Sequence, residues 1–236
     1  MKTFVQVLSC VCGGAWMAMA VPLPLSERPG NVCIEADEAW VVLPAGFDKA
    51  ARWVAHDLDG RQVAKGAFQA GATRIDLGRQ PVGWYRIEGV DGAAKPVAWT
   101  TAAVVKRLAA PVPAESPIRI DTANAWFTRT GDPERDRRKM AAFASLAALA
   151  GVSGVRDRLT WGEVEPVPGE FRAATRYDDS ARILRGAGLE VLQVYHGTPG
   201  WALSLQLDAD KAGKRFPRDL RDPFRFCRAM AGRFKG

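Results

Sequence analysis

The part of the sequence that decides the fold is residues 155–202, which begins V-R-D-R-L-T-W-G-E-V-E-P-V-P-G-E-F and ends E-V-L-Q-V-Y-H-G-T-P-G-W-A. A short β-like run at 155–159 and an apolar run at 191–195 flank the amphipathic segment 175–188. Polar and aromatic residues follow each of the two runs. A strand, a helix and a second strand predict a βαβ unit whose parallel strands end at one rim of the sheet. We expect a functional site along that rim.

The same alternation extends in both directions along the chain. Residues 118–125 form a candidate strand, and Asp132 caps a following helix that has Pro133 at its first position. Further strands are predicted at 152–159 and 190–195, and a third helix starts at Asp222. Three β-strand/α-helix units with long loops after the strands predict the first part of an incomplete (β/α)₈ TIM barrel over residues 118–236. A doubly wound sheet is the alternative, but no glycine-rich phosphate loop follows any strand.

The region 32–107 alternates with period two instead. The Asp-Gly pairs at 59–60 and 91–92 mark two hairpins, the first of which is predicted to have a type I′ turn. Six or seven short strands with no helix between them predict an antiparallel, immunoglobulin-like β-sandwich domain. Its aromatic residues are expected to fill the core, with a sugar-stacking platform as the alternative reading. The proline-rich segment 108–117 is the predicted linker to the barrel.

Residues 1–20 have the pattern of a signal peptide. Lys2 precedes a mostly apolar stretch that ends in the A-x-A cleavage signal at 18–20. We expect cleavage after Ala20, a linker at 21–31, and a secreted or periplasmic protein without further membrane association. The apolar stretch is too short for a stable membrane span. After cleavage Cys33 and Cys227 remain, and both are predicted to be buried and not to form a zinc site.

The net charge of +7 suggests nucleic acid at first sight. However, the 33 basic residues are interleaved with 26 acidic ones, and the densest basic group, at 135–139, lies on a predicted helix beside Glu134 and Asp136. Such a pattern is typical of a solvated helix face. We therefore expect no nucleic acid partner.

The motif R-D-R-L-T-W-G-E-V-E-P-x-x-G-x-F, followed by Y-D-x₅-L-R-x-A-G-L-x-V-L-x-V-Y-H-x-T-P-x-W-A, resembles barrel strands two and three of secreted (β/α)₈ glycoside hydrolases. The similarity is to retaining glycosidases of the clan that includes families 5 and 39. It implies hydrolysis of β-linked poly- or oligosaccharides without a metal or organic cofactor. Two carboxyl groups, an acid/base and a nucleophile, perform this reaction.

The resemblance also implies a set of carbohydrate-binding residues. Aromatic rings stack on sugars and polar groups bind hydroxyls, so the candidates at the rim are Arg156, Trp161, His196, Trp201, Asn124 and Trp126. By resemblance, Arg156 orders the nucleophilic carboxylate and keeps its pKa low. For His196 a sugar contact and a purely structural role are equally open.

The two catalytic glutamates of these hydrolases follow strands four and seven, the first of them after an Asn. This sequence contains no Asn-Glu pair, so we expect both catalytic residues beyond Gly236. Glu163 and Glu165 are two residues apart and would share a face of a strand. Three roles are open for these two residues: a salt bridge or helix cap, a hydrogen bond to the substrate, or a catalytic pair. The predicted function is an N-terminal fragment of a secreted glycoside hydrolase; the alternative is a non-catalytic carbohydrate-binding or surface protein that uses the β-sandwich.

Overall fold

The computed structural model describes residues 28–44, 46–69, 71–203 and 216–235. The predicted signal peptide and most of the predicted linker at 21–31 lie outside these residues. The N-terminal part contains β1 (Val32–Ile34), β2 (Ala39–Val42), β3 (Arg52–His56), β4 (Gln62–Ala67), β5 (Arg74–Gly78), β6 (Gly83–Val90) and β7 (Pro96–Val105). The remainder contains β8 (Arg119–Asp121), α1 (Asn124–Phe127), α2 (Pro133–Leu149), β9 (Gly154–Thr160), α3 (Trp161–Val164), α4 (Arg176–Gly186), β10 (Glu190–His196) and α5 (Arg221–Arg233).

The strands β1 to β7 form two sheets, which we call the N-terminal sheets. One has five strands in the order β1-β7-β6-β3-β4, and the other pairs β2 with β5. Val41 and Leu77 from the small sheet and Ile87 from the large sheet are buried in one common core. The buried Asn31 side chain joins the two sheets, because it bonds the backbone of Val42 and the carbonyl of Thr101.

The prediction that these strands are antiparallel is wrong at one edge. Strand β1 runs parallel to β7, with Val32 opposite Ala103. The other pairs of the large sheet are antiparallel, as are β2 and β5. The first strand lies beside the last one, so no hairpin fixes their relative direction.

Both predicted hairpins are present, but the turn of the first differs from the predicted type I′ geometry. A type I′ turn requires positive φ at both central residues, and Asp59 has no positive φ. In the first hairpin the Asp57 side chain accepts from the Arg61 N–H, and Gly60 takes the left-handed conformation. The second hairpin repeats the arrangement with Asp91 and Ala94. The aspartate three residues before the left-handed position therefore organises each turn.

Strands β8, β9 and β10 form a parallel sheet in the order β10-β9-β8; together with its helices we call it the parallel-sheet region. Asp132 caps α2 by accepting from two backbone N–H groups, and a capping box of Thr175 and Asp178 begins α4. Val155 of β9 is buried with residues of α2 and α4, among them Ala147 and Leu184. The first strand is shorter than the predicted 118–125, because Ala123 is left-handed and starts α1.

No helix formed by the described residues covers one face of the parallel sheet. Along β9, Val155, Asp157 and Leu159 are buried on the helix side, whereas Arg156 is exposed on the opposite side. Leu192, which pairs with Arg156, is also exposed. None of the helices formed by the described residues combines the length and apolar character needed to cross a membrane.

Candidate functional site

The ends of the three parallel strands lie at one rim, and short helical turns follow each strand. Helix α1 follows β8, helix α3 follows β9, and a 3₁₀ turn at Gly200–Ala202 follows β10. The Trp126 ring in α1 contacts the ring of His196 edge to face, with centroids 4.9 Å apart. The Arg158 guanidinium lies 5.9 Å from the Trp126 centroid. The predicted residues Trp126 and His196 therefore meet, although 70 residues separate them in the sequence.

An arginine pair lies on the open face below this contact. Arg156 and Arg158 both donate to Oδ2 of Asp121, at 2.9 and 2.5 Å. The shared carboxylate holds both guanidinium groups across the β8–β9 junction. Arg156 is exposed, as a substrate-binding residue requires. Asp121 was not among the predicted site residues, because the predicted strand 118–125 placed it in the middle of a strand, whereas the observed strand β8 ends at Asp121.

Some buried polar atoms near this rim have no hydrogen-bond partner among the described residues. They are Oγ1 of Thr122, Oδ1 of Asn124, Nε1 of Trp126 and Nε of Arg158. Buried polar groups in proteins nearly always have a partner. These atoms mark a place where the polar environment is incomplete.

Two predicted site residues lie behind the rim and not on it. Trp161 is 0% exposed and packs against Trp201, Tyr195 and Phe226, with centroid distances of 5.0 to 5.9 Å. Asn124 is also buried and donates to Ser180 and the Met140 carbonyl. The prediction of direct sugar contact is corrected for both residues, because neither has exposed surface in this structure. They support the residues that line the rim.

Trp201 is half-buried beside this aromatic cluster. Its indole N–H donates to the Glu165 carbonyl at 3.2 Å, and the Arg225 guanidinium lies 5.9 Å from its ring. A Cβ on Gly162 would approach Pro199 to 3.2 Å, so the turn after β10 packs closely on α3. Trp201 thus retains a partly exposed ring whose orientation is fixed from two sides.

The surroundings of Glu165 indicate that it has a structural role. Its side chain is fully buried and accepts from the Trp161 indole at 2.7 Å, the Gly169 N–H at 2.7 Å and Arg225 at 2.8 Å. A buried carboxylate that is paired and fully hydrogen-bonded is not available to protonate a leaving group. The Arg225 partner could not be found from sequence, because it lies 60 residues away on α5.

Glu163 is held by an ion pair on the other side of α3. It receives two hydrogen bonds from Arg129, at 2.7 and 2.8 Å, and one from the Tyr177 hydroxyl. Burial acts to raise the pKa of Glu163, but the bonds from Arg129 and Tyr177 outweigh it and hold the pKa below its usual value. The salt-bridge interpretation of both glutamates is confirmed. The expected shared strand face is wrong, because Glu163 lies in helix α3.

Asp157 is buried, and Cys227 differs from expectation. The Asp157 carboxylate accepts from the Ser180 hydroxyl and the Ala125 N–H. It thereby ties α1 and α4 to β9. Cys33 is buried as predicted, whereas Cys227 is exposed. Among the residues that the structure describes, no cluster of three or more His, Cys, Asp or Glu side chains could hold a metal ion.

Comparisons with known proteins give a likeness of fold. No family model and no curated protein match the sequence. A solved structure of a family 39 glycoside hydrolase from the gut symbiont Bacteroides cellulosilyticus WH2 is similar, with a TM-score of 0.60 and 16% sequence identity. The match covers 87% of this chain and 40% of that chain. The chain therefore shares the fold of part of a glycoside hydrolase, and the resemblance expected from the motifs is confirmed at the level of fold.

Proposed function

We propose that this chain is the N-terminal part of a secreted retaining glycoside hydrolase that acts on β-linked poly- or oligosaccharides. It would consist of a β-sandwich followed by the first three units of a (β/α)₈ barrel. The single observation that carries the proposal is the fold likeness to a family 39 glycoside hydrolase over 87% of the chain. The rim residues agree with it, because an exposed Arg156 and the Trp126–His196 contact lie where barrel enzymes bind substrate.

The surface of α5 supports the view that further barrel units belong beside this region. Pro223, Phe226 and Met230 are buried on one face of α5. A second apolar face, at the i, i+4 and i+7 positions Leu220, Phe224 and Cys227, is exposed. A helix that is apolar on two sides normally packs on two sides. The neighbouring strand β10 pairs only with β9 among the described residues, so one edge of it is also open.

The catalytic carboxylates of the proposed hydrolase lie outside this sequence. Glu163 and Glu165 are committed to Arg129, Tyr177, Trp161 and Arg225, as described above. Glu163 lies in α3 and Glu165 directly follows it, so both come from one segment, whereas the two carboxyl groups of a glycosidase flank the scissile bond. The proposed role of the present residues is to hold the sugar and, for Arg156, to order the nucleophile.

The first test is to read the encoding DNA beyond the codon for Gly236. The expected result is a continuous frame that encodes a strand-like run ending in Asn-Glu within a few tens of codons. A stop codon directly after Gly236 would overturn the assignment of hydrolase activity to this chain.

The second test is an assay of the purified 236-residue chain. We expect no release of reducing sugar from xylan or β-glucan, because both catalytic carboxylates are absent. If the chain hydrolyses either polysaccharide and Glu163→Gln or Glu165→Gln abolishes this activity, the proposal that the catalytic carboxylates lie outside this sequence is wrong. Glu170→Gln, an exposed glutamate close by, is the matched control.

The unpartnered face of α5 can be tested in the same preparation. We expect the chain to bind a hydrophobic dye, and the double variant Leu220→Gln/Phe224→Gln to bind less of it while its thermal midpoint stays the same. Unchanged dye binding in the variant would contradict an open packing surface at this place.

A further inference from the structure

The tryptophans of the N-terminal sheets differ in their exposure, contrary to the expectation that they fill the core. Trp53 is 7% exposed and packs in the core, where its ring fills the space over Gly66. Trp99 is 61% exposed and Trp84 is 41% exposed. Leaving much of two large rings in water forgoes apolar burial that would stabilise the fold. Their exposure therefore requires an explanation other than packing.

Strand register places both exposed rings on the outward face of the five-stranded sheet. Glu88 on β6 lies opposite Trp99 on β7, and Trp84 precedes Glu88 by four residues. Side chains separated by an even number of residues along a strand share a face. The two rings are thus about 14 Å apart along the strands. No single sugar ring can contact both of them, but an extended chain of sugars can.

The surface between the two rings is polar and electrically paired. Arg86 donates to the Glu88 carboxylate at 2.8 Å, and its guanidinium lies 5.3 Å from the centroid of the Trp99 ring. Thr101 lies opposite Arg86 and adds a hydroxyl. Arg52 and Lys65 lie on the same face farther across the sheet, on β3 and β4. Within the patch between the two rings the charges of Arg86 and Glu88 cancel. Its donors and acceptors fit the hydroxyl groups of a neutral ligand.

We propose that the outward face of the five-stranded sheet binds an extended, uncharged, β-linked polysaccharide through stacking on Trp84 and Trp99 and hydrogen bonds to Arg86 and Glu88. β-Linked sugars with equatorial hydroxyls present flat C–H faces that fit exposed indole rings. The contact of Arg86 with Trp99 and with Glu88 fixes the polar groups before the ligand arrives, which reduces the entropy cost of binding. This site is separate from the rim of the parallel sheet and does not depend on the hydrolase proposal.

The test measures binding of the full chain to cellohexaose and xylohexaose by isothermal titration calorimetry. At least one hexasaccharide is expected to bind more tightly than its disaccharide, because only the longer chain reaches both rings. Trp99→Ala and Trp84→Ala are each expected to weaken hexasaccharide binding about tenfold, the factor that corresponds to 1.4 kcal/mol. Trp99→Phe, which keeps an aromatic face, should retain part of the affinity.

Two controls separate this face from other sites. Leu58→Ala removes an exposed apolar side chain at a hairpin tip of the same sheet and should leave binding unchanged. Phe143→Ala removes an exposed ring from α2, outside both proposed sugar-binding surfaces, and should also leave the hexasaccharide affinity unchanged. Circular dichroism and the thermal midpoint verify that each variant is folded, which is expected because the replaced rings are exposed.

Three results would overturn the proposal. The first is the absence of hexasaccharide binding by the unmodified chain. The second is loss of binding in His196→Ala with retention in both tryptophan variants, which would place the sugar at the rim and leave the hydrolase proposal intact. The third is self-association in analytical ultracentrifugation that Trp99→Ala abolishes without any change in sugar binding, since the face would then be a protein interface.

Discussion

The N-terminal sheets and the parallel-sheet region bury different kinds of groups. In the sheets, the buried polar side chain is the neutral Asn31, and the rest of the core is apolar. In the parallel-sheet region three side-chain carboxylates are buried: those of Asp136, Asp157 and Glu165. Each of the three accepts several hydrogen bonds, and Asp136 and Glu165 also pair with arginines. The second region thus depends on ionic contacts between distant segments, and the first on shape and apolar area.

This difference follows from the way each region closes. A hairpin brings neighbouring strands together within a few residues, so the N-terminal sheets cover their core with little help from elsewhere. Parallel strands meet only after a helical crossover, and three of them leave one sheet face and two edges open. Charged groups such as the Asp121–Arg156–Arg158 cluster then occupy the open face. The predictions below test whether the two regions respond separately.

The largest effect is expected on removing the buried carboxylate of Glu165. Glu165→Ala leaves the Trp161 indole N–H and the Gly169 N–H without an acceptor and Arg225 without its partner. We expect the free energy of unfolding of the parallel-sheet region to fall by about 3 to 5 kcal/mol. Urea denaturation followed by tryptophan fluorescence measures it. The exposed Glu170→Ala is the control, and a loss below 1 kcal/mol would contradict an ionic contribution to this core.

A matched pair of core variants comes next. Ile87→Ala in the N-terminal sheets and Leu184→Ala in α4 each remove a fully buried aliphatic side chain. Each substitution is expected to lower the free energy of unfolding by about 3 kcal/mol, because apolar burial is lost and a cavity remains. If the regions are stabilised separately, each variant lowers one thermal transition in calorimetry and leaves the other in place. A shift of both transitions by either variant would show one cooperative unit.

Acid should act first on the parallel-sheet region. For Glu163, Asp136 and Asp178, burial acts to raise the pKa, but hydrogen bonds outweigh it and the pKa lies below the ordinary values of 4.5 and 3.8. Carboxyl groups with a depressed pKa in the folded state stabilise it above their unfolded pKa, and this contribution is lost as the pH falls through the folded value. We therefore expect the stability of this region to fall below about pH 4.5. Amide exchange monitored at pH 6 and pH 3 measures the loss region by region.

The single variant Asp136→Asn is the control for the effect of acid. Asp136→Asn removes one of the titrating groups that bonds Thr130 and Arg176. The variant should be less stable at pH 6 and show a smaller further loss at pH 3. An equal loss at both pH values would mean that Asp136 contributes no proton-linked stability.

The smallest effect concerns the turn between β6 and β7. Ala94 has a φ of 64°, in the left-handed region that disfavours a side chain. Ala94→Gly should stabilise the N-terminal sheets by about 0.5 to 1 kcal/mol. Ala93→Gly, the neighbouring residue without positive φ, should have the opposite sign. A chemical denaturation curve resolves both, and a destabilising Ala94→Gly would contradict strain at this position.

Local patterns predicted most of the secondary structure. Period-two alternation indicated the strands of the N-terminal sheets, and capping residues located the helix starts at Asp132 and Thr175. They gave the wrong turn type for the first hairpin, because Asp57 organises that turn and not the Asp-Gly pair itself. They also predicted core positions for Trp84 and Trp99, because alternation along one strand does not reveal which face another layer covers.

The candidate site shows the same limit more clearly. Parallel pairing placed the strand ends at one rim, so the sequence by itself determined that residues such as Arg156, Trp126 and His196 could meet there. Only the tertiary structure decided that Trp161 and Asn124 lie behind the rim and that Arg225 and Arg129 neutralise Glu165 and Glu163. A residue type and its spacing report which chemistry a segment offers. Burial and charge pairing depend on partners 34 to 60 residues away, and the position of those partners follows from how the helices pack on the sheet.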